Sequence, residues 1–76
     1  MKKRQTMIER LPAAFAGLGL NAREAGIIVR SGIEDPKALR ELAMRDFFRL
    51  LMRVPYASRR PITSLWDKLK LHSVTP

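Results

Sequence analysis

An all-α fold, a compact bundle of four to five short helices, is what this chain of 76 residues predicts. Three observations carry that expectation. No segment alternates apolar and polar residues through a β-branched run long enough for a strand. Apolar residues recur instead at helical spacing, most regularly as Ile62, Leu65, Trp66 and Leu69. Between these runs stand helix start and stop signals, Asn21, Ser31-Gly32 and Asp35-Pro36.

The elements follow in order. Residues 1–6 read as a flexible basic arm, 7–72 as one small helical domain and 73–76 as a frayed end. From Met7, Ile8, Leu11 and Phe15 lie at roughly helical spacing, but Pro12 interrupts them, so one turn followed by another is expected. Gly17 and Gly19 end that segment. Asn21 then caps a helix over about 22–30, and Glu24, three residues on, completes a capping box. Gly32 suits a left-handed C-terminal position, and Ile33 after it should be buried.

A second helix starts at Pro36 behind Asp35, where a missing N–H costs nothing, and turns Leu39 and Leu42 inward. A third carries Phe47, Phe48, Leu50, Leu51 and Val54, either as a separate helix or as a continuation of the second after a bend near Ala43 or Arg45. Arg45, Arg49 and Arg53 recur every four residues, which makes them a ridge on one face. Residues 55–58 are a turn. Ser58 is then the N-cap of the last helix, with Arg59 and Arg60 first and second and Pro61 third. All three stand inside the turn whose N–H groups lack intrahelical partners.

A domain of this size buries only about 60% of its unfolded surface, so its core is modest. A hydrophobic fraction of 46% nevertheless argues against disorder. With no cysteine, neither disulfides nor thiolate metal sites can support the fold, and the lone His72 makes no metal site. The stretch MKKRQTMIERLP begins like a signal peptide but lacks its continuous apolar stretch, and no apolar run approaches the ~20 residues that span a bilayer. A soluble cytoplasmic protein, not bound to membrane, is the expectation.

Charge is the loudest global feature: fifteen Lys and Arg against seven Asp and Glu, a net +8. Residues 1–10 hold four bases and one acid, residues 11–42 four of each, and residues 43–76 seven bases and two acids. The excess therefore sits at the two ends. A charge of this size speaks to partners, and nucleic acid is the commonest polyanion that such a domain meets. Catalysis is not expected. The chain has no glycine-rich phosphate loop, no histidine pair, no acid–histidine–nucleophile set and no metal-ligand cluster, and no cofactor is implied.

The stretch LNAREAGIIVRSGIEDPKALREL, with DFFRLL and VPYASRRPITSLWDKL after it, resembles the C-terminal domain of the bacterial RNA polymerase α subunit. Leu20, Arg23, Ala25, Ile28, Ile33, Leu39 and the Phe47-Phe48 pair fall on matching positions. Pro55, Arg59-Arg60 and Ile62 do so once a few residues are inserted near 48–54. Gly26, Ser58 and Pro61 stand where that family has asparagine, glycine and serine. The resemblance implies a compact helical fold, with a helix-hairpin-helix in its C-terminal half, that binds across the DNA minor groove and touches the phosphate backbone and other transcription proteins. By position, Arg23 matches the arginine that enters the groove. Arg59 and Arg60 match the hairpin's two lysines, the second of which meets the phosphate backbone.

Double-stranded DNA is accordingly the first expected partner, bound mainly through backbone and minor-groove contacts in transcription or its regulation, with a nucleoid location to match. The expected contact residues are Arg23, Tyr56, Ser58, Arg59 and Arg60, with Lys2, Lys3 and Arg4 of the arm and Arg49 and Arg53 of the ridge. Phosphate suits the forked arginines, and Tyr56 can stack on a base or ribose. Each has a plainer role beside it. Arg23 can be a solvated first-turn charge, the ridge a solvated face, the arm a solubilising end and Tyr56 a hairpin-packing residue; Trp66 is read as core. Two other functions stay open: a protein-interaction module that docks on an acidic partner such as RNA polymerase or another transcription protein, and an RNA-binding domain.

Overall fold

The computed structural model describes residues 8–73, and every regular element among them is helical. A 3₁₀ helix, Ala13–Leu18, precedes α1 (Ala22–Ser31), α2 (Pro36–Arg40), α3 (Met44–Leu51) and α4 (Arg59–Ser73). The expected arm, with Lys2, Lys3 and Arg4, lies outside the described residues. Ser73, placed in the frayed end by sequence, still belongs to α4.

Local chemistry explains the boundaries. Pro12 separates a turn, closed by Leu11 N–H donating to Ile8 C=O at 3.2 Å, from the 3₁₀ helix, where Phe15 N–H donates to Pro12 C=O. Ile8 stays exposed, Leu11 packs half-buried against the edge of the core and Phe15 is fully buried, so the apolar stripe goes progressively inward across the proline. Gly17 sits inside the 3₁₀ helix; Gly19, at φ 71°, is the residue that ends it. At α1 the capping box is complete. Glu24 N–H donates to Asn21 Oδ1 at 2.8 Å, and Asn21 N–H donates to Glu24 Oε1 at 2.9 Å. Gly32 takes the left-handed cap at φ 78°, its N–H donating to Val29 C=O. Asp35 caps α2 by accepting from Lys37 N–H. Ala43 is extended (φ −68°, ψ 156°), which makes α3 a separate helix and not a bent continuation of α2.

The longest helix, α4, is the element the others share: it packs against α1, α2, α3 and the 3₁₀ helix. Ile62, Leu65 and Leu69 are buried along its inner face and meet Phe15, Leu18, Ile27, Ile28, Leu39, Phe47 and Leu51. Trp66, read as core, is only half-buried. Its ring packs edge-on against Phe47 at 5.1 Å and carries Lys70 Nζ at 4.4 Å from its centroid. A reciprocal tie fastens α2 to α4, because Arg40 Nε donates to Leu69 C=O and Lys70 Nζ donates to Arg40 C=O. The Arg40 carbonyl, left without an intrahelical partner at the end of α2, is satisfied in this way.

The basic ridge needs correction. Arg45 and Arg49 are exposed on α3, but the helix ends at Leu51. Arg53 N–H and Val54 N–H then donate to carbonyls three residues back, at 3.3 and 3.1 Å. The tighter winding turns Arg53 out of line with the other two. No described helix is long and apolar enough to cross a membrane.

Candidate nucleic-acid interface

Two helix starts and one turn bring the candidate residues together. Arg23 is the second residue of α1, and Arg59 and Arg60 are the first two of α4; all three are exposed. Ile62 N–H donates to Ser58 C=O, which sets Ser58 at the expected N-cap position. Pro61, third in the helix and buried, has no N–H to offer the serine side chain. Among the described residues the backbone N–H groups of Arg59 and Arg60 find no acceptor, so the positive end of α4 stays open.

A groove of about 300 Å³ runs between the two helix starts, lined by Asn21, Arg23, Glu24, Arg60, Pro61 and Ser64. Next to it a cleft of about 410 Å³ is lined by Ala22, Arg23, Gly26, Arg30, Tyr56 and Ser58. A third depression joins Arg30 to Arg53 and Pro55. Because neighbouring grooves share Arg23 and Arg30, the order Arg60, Arg23, Arg30, Arg53 forms one continuous basic face. Of its acids, Asp67 stands at one end with Arg59 and Arg60, and Glu24, beneath the groove between Arg23 and Arg60, is wholly buried and paired with Lys68. Of the expected contacts, Arg23, Tyr56, Ser58, Arg59, Arg60 and Arg53 are brought to this face, whereas Arg49 stands on the exposed side of α3. Arg30 was missed by sequence reasoning. Its signal was its place in the last turn of α1, where a cation is favoured by the helix dipole.

Glu24 is the anchor beneath the face. Its Oε1 accepts from Asn21 N–H and from Lys68 Nζ at 2.6 Å, and the same lysine donates to Gly19 C=O at 3.0 Å. Its Oε2 is buried without a hydrogen-bond partner. Burial pushes the carboxyl pKa up, but Lys68, the nearby Ser64 hydroxyl and the Asn21 N–H outweigh it, and the net result lies below the ordinary value. The ionised pair thus locks the start of α1, and Arg23 with it, onto α4. This pairing gives Glu24 a second role beyond the capping expected of it.

The turn before α4 carries the strained residue. Ala57 N–H donates to Val54 C=O at 3.1 Å, with Pro55 second in the turn and Tyr56 third at φ 66°. A positive φ at that position is the pattern of a type II turn, which ordinarily takes glycine or asparagine. For a bulky side chain it costs on the order of 1–2 kcal/mol. Burial does not offset this, since Tyr56 is 88% exposed. The Arg30 guanidinium, 5.3 Å from the ring centroid, returns about 0.5–1 kcal/mol at such an exposed site.

Among the described residues no three His, Asp or Glu side chains gather to hold a metal ion. Set against known protein-family models, curated proteins and solved structures, the chain matches none of them.

Proposed function

We propose that this is a small DNA-binding domain that grips duplex DNA mainly through the phosphate backbone. The observation that carries the reading is the continuous face of Arg60, Arg23, Arg30 and Arg53, with Arg59 and Asp67 at one end and the Glu24 charge buried beneath it against Lys68. Forked guanidinium groups suit phosphate oxygens, and the open N–H groups at the start of α4 add donors for the same anion. Two successive arginines at a helix start are locally unfavourable; a bound phosphate removes that penalty. Arg23 lies nearest the centre of the face and is the residue assigned to the minor groove. The sequence resemblance to the polymerase α C-terminal domain supports a place in transcription or its regulation, and with it a nucleoid location.

Titration of duplex DNA at several salt concentrations tests this. With about five phosphates neutralised, log affinity should fall against log salt with a slope near −4.5. Replacing Arg59 and Arg60 by alanine should flatten the slope by about one to two units. Absence of salt-dependent binding at low ionic strength would sink the reading, and tighter binding of duplex RNA in competition would redirect it to RNA.

One observation favours a second reading, docking on an acidic protein such as a component of the transcription machinery. The outer side of α3 carries exposed Arg45 and Arg49 beside exposed Met44 and Met52, a mixed apolar and basic surface of the kind proteins bind. Retention of polymerase on the purified domain after nuclease treatment would support it; loss of every partner on that treatment would remove it.

A further inference from the structure

Tyr56 is not explained by the fold. Its ring is almost fully exposed and its backbone is held in a conformation suited to glycine. It stands at the rim of the cleft lined by Arg23, Arg30 and Ser58. On one side of the ring the Arg30 guanidinium carbon stands 5.3 Å from its centroid, a cation–π approach that leaves most of the ring in solvent. That contact orients a side chain that already has only two torsions to lose, so a flat ligand group arriving on the other face meets a surface ordered in advance. The cleft beside the ring has cationic and hydroxyl side chains and no acid in its lining, a setting for the phosphates on either side of such a group.

We propose that Tyr56, backed by Arg30, is a stacking platform for one unpaired nucleobase, and that it directs the basic face to places where duplex DNA opens into a single strand. The inference rests on the DNA-binding reading above and gives it a preferred substrate. Within a continuous duplex both faces of every base are covered by neighbours, so the platform has nothing to receive there. At a junction the first unpaired base presents a free face, while the adjoining duplex keeps its minor groove on Arg23 and its phosphates on Arg59 and Arg60. Stacking on an aromatic ring is tolerant of base identity, so the preference is for the junction and not for a sequence.

The test compares a short blunt duplex, the same duplex extended by a single-stranded tail, and the tail alone. The tail carries 2-aminopurine as its first unpaired base. The tailed duplex should bind about 5–150-fold tighter than the blunt one, which corresponds to stacking at roughly 1–3 kcal/mol per base. The 2-aminopurine emission should be quenched on binding. Tyr56→Ala should abolish the preference, so that its tailed and blunt duplexes bind alike, and Tyr56→Phe should keep both the preference and the quenching. Equal binding of tailed and blunt duplexes by the unaltered protein would overturn the platform while leaving the duplex reading intact. So would a Tyr56→Ala variant that loses affinity for both equally, or a tail that binds alone as tightly as the tailed duplex. Failure to bind any of the three would remove the duplex reading and the platform together.

Discussion

The Glu24–Lys68 clamp lies beneath the basic face and the Tyr56 turn stands out from it, and they are built by opposite rules. At the clamp a charge is fully buried, and Lys68 reaches from α4 to tie it and the Gly19 carbonyl at once. At the turn an aromatic ring is left in solvent on a strained backbone, with one guanidinium for company. The first arrangement contributes order: it sets the start of α1 against α4, and so the spacing of Arg23 from Arg60. The second contributes little to stability. Residues that favour stability and residues that favour binding are thus separable here by what removing them should cost.

The largest effect belongs to the clamp. Lys68→Met strands a buried carboxylate and should destabilise the domain by about 3 kcal/mol, the low end for a broken buried pair, because the lysine is itself partly exposed. Chemical denaturation measures it. A loss below about 1 kcal/mol would show that Glu24 finds another partner.

Acid titration sharpens the same point. Glu24 has a folded pKa held below the ordinary carboxylate value, so its contribution is full above its unfolded pKa of about 4.3 and is lost as pH falls through the folded one. The melting temperature should therefore drop more steeply with acid in the unaltered protein than in Glu24→Gln. Parallel curves would deny the clamp its pH dependence.

The smallest effect is expected at the turn. Tyr56→Gly relieves the left-handed strain but gives up the Arg30 contact and adds backbone freedom to the unfolded chain, terms of similar size. Stability should stay within about 0.5 kcal/mol of the unaltered protein, although a whole aromatic side chain is gone. A loss above about 1.5 kcal/mol would make Tyr56 a packing residue and return it to the fold.

What could be read from the sequence follows the same division. The Asn21–Glu24 box, the Gly32 cap and the Asp35-Pro36 start were legible because each is settled within three residues. The core stripe of Ile62, Leu65 and Leu69 was legible because its period belongs to one helix. The Lys68–Glu24 pair was not, since 44 residues separate its members and many other bases could have served. Arg53 was assigned to a ridge because the four-residue spacing assumes a helix that runs past Leu51, and the tightened turn before Pro55 departs from that geometry. Of the interface, the arginines at the two helix starts could be named in advance. Arg23 and Arg30 share a face of α1 by their seven-residue spacing, but how that face lies against the Tyr56 turn and the start of α4 is encoded in no local pattern.

The chain has one tryptophan and one tyrosine, and the fold sends them to different environments. Trp66 lies half-buried against Phe47, while Tyr56 stands in solvent at the cleft. The molecule therefore carries two intrinsic optical reporters with separate duties. Emission from the indole, excited alone at the red end of its absorption, follows unfolding of the core, and excitation passed to it from the phenol follows whatever settles on the turn. Both can be recorded on the same unlabelled sample.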